Sequence, residues 1–190
     1  ADLGQKNIVG LEKSSVIPSD IASTAHASDF VYNTTHDKLG CWTTEFSRKF
    51  YEDNGFFLKK GGLEICRKDD DARWEELKRK VSSGKAFGTN VQLISAAEAK
   101  EKFPLLEESS IRGAMWDPDA GLVTPRSQDV VSFAVETAKD KGALKTFTDT
   151  PAIDFEIEGG KVVGVKTDKG VIKTNRVVIA SGIWGPLMGK

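Results

Sequence analysis

Apolar residues in the first half of the chain recur at helical spacing in two segments. Residues 36–53 predict a helix that stops at Gly55 and carries an apolar stripe of Leu39, Trp42, Phe46 and Phe50. A second helix is predicted to begin at the acidic run 69–71, where the helix dipole favours negative charge, and to end at Gly84. Its apolar positions are Trp74, Leu77 and Val81.

Shorter elements are predicted after each of these helices. Residues 56–58 and 61–66 have the composition of a pair of strands around a glycine turn. Ser95 and Glu98 have the spacing of a capping box, which predicts a short helix that stops at Phe103.

The last third of the chain changes from helical to strand periodicity. A helix is predicted after Thr124, with Thr124 as N-cap, Pro125 in the first turn and Gly142 at the end. Alternating residues then predict three strands joined by glycine-containing hairpin turns, at 154–158, 162–167 and 171–174.

A continuous apolar run follows at residues 177–180 and leads into Ser181 and Gly182. Continuous apolar runs are typical of parallel strands that are covered on both faces. The pattern therefore predicts a buried strand ending in small residues, where a backbone can approach a ligand closely.

The amino-terminal run 7–13 predicts a short strand that ends in Glu12. In a dinucleotide-binding βαβ unit, an acidic residue at the end of the second strand binds the adenosine ribose, about 20 residues after a glycine-rich phosphate loop. Here residues 1–4 look like the tail of a helix that closes on Gly4, and no such loop precedes the strand. We therefore interpret the chain as part of a larger flavoprotein without its first strand. A solvated strand end is the alternative for Glu12.

Composition excludes several classes of function. A net charge of −1 in 190 residues provides no basic surface for nucleic acid, and no apolar run is long enough to span a bilayer. Cys41 and Cys66 lack metal-ligand spacing, so we expect no metal site and an intracellular location, in the cytoplasm or the mitochondrial matrix. His36 precedes a helix and is assigned no role.

Six segments together carry a resemblance to a known group of proteins: 8–13, 23–27, 61–65, 93–106, 118–122 and 177–185. They resemble the FAD-dependent D-amino-acid-oxidase superfamily and, within it, the dimethylglycine dehydrogenase, dimethylglycine oxidase and sarcosine dehydrogenase group. The Ser-Thr-x-His-Ala run at 23–27 and the Gly-Gly-Leu-Glu run at 61–64 are the more specific ones. The chain departs from the family pattern at Ala22, where the family usually has Gly before the Ser-Thr pair, and at residues 28–30, where Asp29 stands among positions that are usually small and apolar.

The resemblance implies FAD as cofactor and a set of binding residues. His26 matches the position at which this group attaches the flavin covalently, and a polar loop residue is the alternative for it. Glu12 would bind the ribose, and Trp184 would lie beside the flavin or pack in the core. The full implied set is Glu12, Lys13, Ser23, Thr24, Ala25, His26, Ala152, Ser181, Gly182 and Trp184.

The expected fold class is α/β, or α+β overall. An incomplete Rossmann-like FAD-binding domain is interrupted by part of an antiparallel substrate domain. We expect residues 1–54 to be a remnant of the FAD-binding domain and 55–123 to belong to the substrate domain. Residues 124–190 would return to the FAD-binding domain with an inserted β-hairpin.

The implied reaction is oxidation of an N-methylated amino acid, of the dimethylglycine or sarcosine type, by hydride transfer to the flavin. The partner is then a small-molecule amine, no catalytic residue is assigned, and the oligomeric state stays open. Because backbone donors of a phosphate loop are not in the chain, we expect this piece alone to bind flavin poorly and to be inactive. The alternatives are a glycine-oxidase-like amine oxidase of the same superfamily and a truncated, non-catalytic relative.

Overall fold

The computed structural model describes residues 3–189, which form eleven strands and five α-helices. The strands are β1 (Ile8–Leu11), β2 (Phe30–Val31), β3 (Phe57–Lys59), β4 (Gly62–Arg67), β5 (Gln92–Ser95), β6 (Ile111–Asp117), β7 (Gly121–Val123), β8 (Leu144–Phe147), β9 (Ala152–Glu158), β10 (Lys161–Thr167) and β11 (Gly170–Lys173). The helices are α1 (Lys38–Asp53), α2 (Asp71–Ala86), α3 (Ala96–Lys102), α4 (Ser127–Asp140) and α5 (Gly185–Met188). This mixture of a parallel sheet and antiparallel sheets confirms the expected fold class.

The chain divides into two compact units. The discontinuous unit combines the residues up to 27 with those from 127 onward, and the central unit comprises 28–126. The chain therefore changes unit at 27/28 and 126/127, whereas the sequence pattern placed boundaries at 54/55 and 123/124, and α1 lies in the central unit. The roles of these segments stay predictions.

In the discontinuous unit, β1 and β8 form a parallel pair. The register runs from Ile8 opposite Leu144 to Leu11 opposite Phe147. α4 precedes β8, and Gly142 ends its connection in a left-handed conformation (φ 63°), as the sequence predicted. The predicted tail of a helix at residues 1–4 falls partly outside the described residues, which begin at Leu3.

The predicted start of α4 was wrong. The helix begins at Ser127, and Thr124 is not its N-cap. The Thr124 amide instead donates to the carbonyl of Phe56 at 2.9 Å, so Thr124 continues the pairing of β7 with β3. Thr124 has the residue type of an N-cap, but its backbone extends the pairing of β7 with β3 and the helix begins three residues later.

The three predicted strands with hairpin turns are confirmed as the antiparallel sheet β9–β10–β11. Gly159 and Gly160 connect β9 to β10 with φ of 56° and 75°. Two consecutive left-handed residues match the twist of adjacent strands, which explains why glycine occupies both positions.

The predicted buried strand at 177–180 was wrong. These four residues form no strand, all are exposed, and Val178 keeps 90% of its surface accessible. A strand needs a neighbour whose backbone groups satisfy its own. Within residues 3–189, β1 pairs only with β8, and no third strand lies beside either of them. The apolar run therefore has the composition of a central strand without a partner.

In the central unit, β3 and β4 run in succession alongside β7 and β6. Both strands exist where the sequence predicted them, but they do not pair with each other. The chain bends at Lys60 and Gly61, whose amides both donate to the carbonyl of Ala120 at 3.2 and 2.8 Å. Gly61 has φ of 75°, and a Cβ there would lie 1.9 Å from the Trp116 ring. Glycine thus permits a bend between two sheets and not a hairpin turn.

The sheet β4–β6–β5 is packed on both faces, because successive strand residues point to opposite sides. Met115 joins a buried cluster with α2, and its neighbour Ala114 joins a cluster with α3. The members of the first are Cys66, Leu77, Val81, Val91 and Met115, and those of the second are Ile94, Ala99, Ile111 and Ala114. The predicted capping box of Ser95 and Glu98 begins α3 and is confirmed.

The predicted end of α2 was wrong by two residues. The helix continues to Ala86, and Gly84 lies buried inside it. A Cβ on Gly84 would lie 2.7 Å from Thr89 Oγ1 and 2.8 Å from Val91 Cγ1, so close packing explains this glycine. The left-handed residue that follows the helix is Gly88, with φ of 91°.

α1 forms where the sequence predicted it, with Asp37 accepting a hydrogen bond from the Gly40 amide as its N-cap. Its apolar stripe is not part of a core. Leu39, Trp42 and Phe46 are all more than 60% exposed, and the rings of Trp42 and Phe46 stack at 5.8 Å.

Leu77 tests the packing of α2 on its sheet. The side chain is fully buried, so Leu77→Ala is expected to lower the free energy of unfolding by about 2–5 kcal/mol through lost burial and a residual cavity. Chemical denaturation followed by circular dichroism measures this. Leu105→Ala is the matched control, because Leu105 is 84% exposed, and a change within about 0.5 kcal/mol is expected there. Equal effects of the two substitutions would contradict the packing described.

Candidate functional site

Glu12 follows β1 directly and has its backbone fixed on both sides. Its amide donates to the carbonyl of Phe147 at 2.9 Å, and its carbonyl accepts from the amide of Thr150 at 2.9 Å. Both partners belong to the end of β8 and the loop after it. The position of Glu12 is therefore set by the β1–β8 pair and not by its own segment alone.

Glu12 is half-buried, and only one oxygen of its carboxylate accepts a hydrogen bond from the described residues. Oε1 accepts from the amide of Ser14 at 2.8 Å. Oε2 makes no hydrogen bond or ion pair with the residues from 3 to 189. The side chain thus offers one oriented oxygen that is open to accept hydrogen bonds.

The loop after Glu12 is held by a second set of hydrogen bonds. The hydroxyls of Ser14 and Ser19 lie 2.8 Å apart, and the carbonyl of Ser14 accepts from the amide of Asp149 at 3.0 Å. Asp149 has φ of 47°, in the left-handed region. Two consecutive amides, those of Asp149 and Thr150, therefore bind the carbonyls of Ser14 and Glu12.

Lys13 and Trp184 connect this loop to the bend that follows the apolar run 177–180. Lys13 Nζ lies 4.0 Å from the centroid of the Trp184 ring, a cation–π distance. Trp184 ends a single 3-10 turn, Gly182–Trp184, and keeps 37% of its surface exposed, so it is not a core side chain. Glu12 and this bend are thus neighbours in the same unit.

Ser181 and Gly182 form the start of the bend. Gly182 has φ of 53°, and the carbonyl of Ser181 accepts from the amide of Trp184 at 3.0 Å. The Ser181 hydroxyl oxygen is buried and has no hydrogen-bond partner in the described part of the chain. A buried hydroxyl without a partner costs free energy, so this oxygen is an exception among the buried polar groups of the described residues.

The segment Ser23–His26 is a single 3-10 turn between two extended alanines and lies against α4. Thr24 and Ala25 are half-buried, whereas Ser23 and His26 are exposed. The His26 imidazole makes no hydrogen bond with any residue that the structure describes, so its ring nitrogens are open to another group.

Ala152 begins β9, pairs with Thr167 and is half-buried. It lies two residues after Thr150, whose amide binds Glu12. The described contacts thus join Trp184 to Lys13, the residue after Glu12, and bring Ala152 near Glu12 through the loop. They include no direct hydrogen bond or ring contact from Ser23–His26 to Glu12.

Sequence reasoning missed the residues that hold Glu12 in place. Ser14, Asp149 and Thr150 fix it, and Lys169 in turn contacts the loop that contains Asp149 and Thr150. A polar Thr-Asp-Thr-Pro run between two strands is a turn signal, and that signal was present at 148–151. It indicates a turn but not what the turn binds.

Among residues 3–189, no group of three or more His, Cys, Asp or Glu side chains is placed to hold a metal ion. None of the described helices has the length and apolar content needed to cross a bilayer.

Comparisons with known proteins identify relatives over the whole chain. It is 29% identical over 157 residues to human mitochondrial sarcosine dehydrogenase, which covers 76% of this chain and 16% of that protein. It is 27% identical to the mouse mitochondrial pyruvate dehydrogenase phosphatase regulatory subunit (98% of this chain, 21% of that protein) and 26% identical to human mitochondrial dimethylglycine dehydrogenase (100% and 22%). The chain therefore spans about a fifth of the length of these relatives.

The fold is also found among solved structures. L-proline dehydrogenase from P. horikoshii superposes with a TM-score of 0.81 at 27% identity, covering 97% of this chain and 55% of that one. The family model described as DAO, FAD dependent oxidoreductase, matches residues 3–190. With a match of this extent, the chain belongs to the DAO family of FAD dependent oxidoreductases.

Proposed function

We propose that Glu12 binds the ribose of the FAD adenosine. The open Oε2 carries this proposal, since ribose hydroxyls are donors and a carboxylate oxygen on a fixed backbone is a strong acceptor. The end of β1 is also the carboxyl end of a parallel strand, where α/β proteins bind nucleotides. The residues present therefore fit the adenosine half of the cofactor.

We assign the other predicted contacts in the same way. The buried Ser181 hydroxyl without a partner supports a hydrogen bond to the cofactor beside Gly182. Lys13 and Trp184 would line the same side, and Ala152 would offer its backbone to the adenine. Ser23, Thr24 and Ala25 would contact the pyrophosphate or ribityl region from their 3-10 turn.

His26 is proposed as the covalent attachment point of FAD. Its imidazole is exposed and without a hydrogen-bond partner in the described residues, which leaves a nitrogen free to bond the flavin 8α-methyl carbon. That carbon and the imidazole would each lose one hydrogen, the flavin ring would take up both with the electron pair, and dioxygen would then reoxidise the flavin. Asp29, which departs from the family pattern, pairs with Arg126 at 2.5 Å in the central unit, so its charge is neutralised by a cation.

For the reaction, we propose oxidation of an N-methylated amino acid of the sarcosine or dimethylglycine type. The bound flavin accepts the hydride, and this chain's residues bind and orient the cofactor. The sarcosine and dimethylglycine dehydrogenases among the relatives support this substrate class. None of the residues described here is assigned a catalytic role, and the substrate itself is proposed for the whole protein.

The two units are proposed to have different roles, one in binding the cofactor and one in binding the substrate. The discontinuous unit, which holds every residue assigned to FAD, would be the cofactor-binding unit, and residues 28–126 would belong to the substrate domain. Both cysteines are free and buried, which supports an intracellular location in the cytoplasm or the mitochondrial matrix.

A second candidate function is a non-catalytic or regulatory relative. The match to the pyruvate dehydrogenase phosphatase regulatory subunit over 98% of this chain favours it, because that protein is named as a regulatory subunit and not as an oxidoreductase. A glycine-oxidase-like enzyme is the third, supported by a 27% identical glycine oxidase from Geobacillus kaustophilus over 70% of the chain.

The ribose contact is tested with Glu12→Gln. The variant keeps the shape of the side chain but loses its charge, so ADP affinity is expected to fall about tenfold, since hydrogen bonds to charged groups contribute roughly 1.5–3 kcal/mol. Isothermal titration with ADP and with 2′,3′-dideoxy-ADP measures this, and the variant and the original protein should bind the dideoxy compound equally. Glu158→Gln is the control, because Glu158 is exposed in the same unit. Equal loss for both nucleotides would refute a ribose contact.

Covalent attachment is tested with His26→Ala. In the whole protein expressed with FAD, the unsubstituted form is expected to retain flavin through acid precipitation, whereas the His26→Ala variant releases all of it while still binding FAD reversibly. Fluorescence of the denatured protein after electrophoresis is the measurement. The control is His36→Ala, which replaces the other histidine and should leave retention unchanged. Flavin that binds reversibly but is fully released from the original protein would show that His26 is not an attachment point.

Anaerobic addition of substrate to the flavin-loaded whole protein separates the three candidate functions. Sarcosine and dimethylglycine are expected to bleach the visible band of oxidised flavin, because hydride transfer gives the reduced form. Bleaching by glycine in preference to its N-methylated derivatives would favour the glycine-oxidase-like enzyme. A flavin that is bound but bleached by none of the three would favour the regulatory relative.

A further inference from the structure

Lys169 lies in the turn between β10 and β11 and donates hydrogen bonds into a different part of the discontinuous unit. Its Nζ donates to the carbonyls of Thr148 and Asp149 and to the hydroxyl of Thr150, at 3.4, 2.5 and 3.1 Å. An ammonium group has three protons, and here each one has an acceptor in the loop between β8 and β9.

The contacted loop is the one that fixes Glu12. The amide of Asp149 in this loop donates to the carbonyl of Ser14 at 3.0 Å, and the amide of Thr150 donates to the carbonyl of Glu12 at 2.9 Å. The loop is therefore bound on one side by Lys169 and on the other by the segment that carries the carboxylate. From these contacts we propose that Lys169 is a positioning residue for Glu12, acting through residues 148–150. The proposal rests on the cofactor role assigned to Glu12 above.

The conformation of the loop explains why such a contact is needed. Asp149 has φ of 47°, which a non-glycine residue adopts at a cost unless its surroundings hold it there. Lys169 binds the carbonyl of this same residue, and Thr150 is only 5% exposed. The ammonium thus stabilises a strained turn whose amides point toward Ser14 and Glu12.

Lys169 is itself held in place. Its amide donates to Thr167 Oγ1 at 3.1 Å, and the same hydroxyl donates to the carbonyl of Gly170 at 2.8 Å. The turn between β10 and β11 therefore has a defined geometry, from which the side chain reaches the loop. The antiparallel sheet, which was predicted as a simple hairpin insertion, thereby gains a role in the geometry of the cofactor site.

Hydrogen exchange of backbone amides tests the proposal without flavin chemistry. In Lys169→Met, which keeps most of the aliphatic stem, exchange of the Asp149 and Thr150 amides is expected to speed up about tenfold, as for loss of one charge-assisted hydrogen bond. Exchange at Glu12 and Ser14 should speed up with it, and ADP affinity should fall by roughly tenfold. Lys169→Arg keeps the charge, so its exchange rates and ADP affinity should lie between those of the unsubstituted protein and Lys169→Met. The series therefore stays informative if Lys169→Met folds poorly.

Lys166→Met is the matched control. Lys166 lies on the same strand pair but binds only the exposed Asp154, at 3.2 Å, so exchange at 149–150 and ADP affinity should not change. Unchanged exchange at Asp149 and Thr150 in both Lys169 variants would overturn the proposal. So would faster exchange there with unaltered ADP affinity, provided that Glu12→Gln does weaken ADP binding. If Glu12→Gln leaves ADP binding intact, the ribose assignment fails by itself, and exchange at Glu12 and Ser14 still decides whether Lys169 positions them.

Discussion

The parallel pairing of β1 with β8 is the interaction on which the discontinuous unit depends. It joins a strand near the amino terminus to one that follows the whole central unit, so the chain must close a very long loop before these hydrogen bonds form. Because the pair is parallel, the carboxyl ends of both strands lie at the same edge of the sheet. Glu12 and the loop 148–150 meet there because of this pairing, and no local sequence preference would bring them together.

Glu12 is a fixed rather than a flexible acceptor. Its amide, its carbonyl and one carboxylate oxygen are each engaged, and only the second oxygen is left open. Such preorganisation lowers the entropy lost when a ligand binds, since the side chain and its backbone are already ordered. If Glu12 binds the ribose as proposed, groups outside the site, such as Lys169, would contribute to affinity through the loop. The chain belongs to a family of FAD dependent oxidoreductases, and FAD contains an adenosine, which is the reason the open oxygen is proposed to accept from a ribose hydroxyl.

Features set by neighbouring residues could be predicted from the sequence, and those set by distant ones could not. The capping box of Ser95 and Glu98 and the turn at Gly159 and Gly160 depend on a few adjacent residues, and both formed as predicted. Gly84 was misassigned as a helix end because its cause is steric contact with Thr89 and Val91. In the site, the end of β1 at Glu12 could be predicted because it depends only on the adjacent apolar run. The contact from Lys169 was not, because a charged turn residue is usually only solvated.

The apolar run 177–180 shows that the bend at Ser181 forms without a strand before it. The run has no partner strand in the described residues and is exposed, yet the bend still forms and Trp184 still lies against Lys13. A cation–π contact at a partly exposed position contributes about 0.5–1 kcal/mol, far less than a fully paired central strand would. The bend is therefore encoded by Gly182, whose left-handed backbone turns the chain, and the contact with Lys13 selects where it lies. This end of the segment thus lies beside Lys13 in a structure where the run 177–180 does not make the strand pairing that its sequence is suited to make.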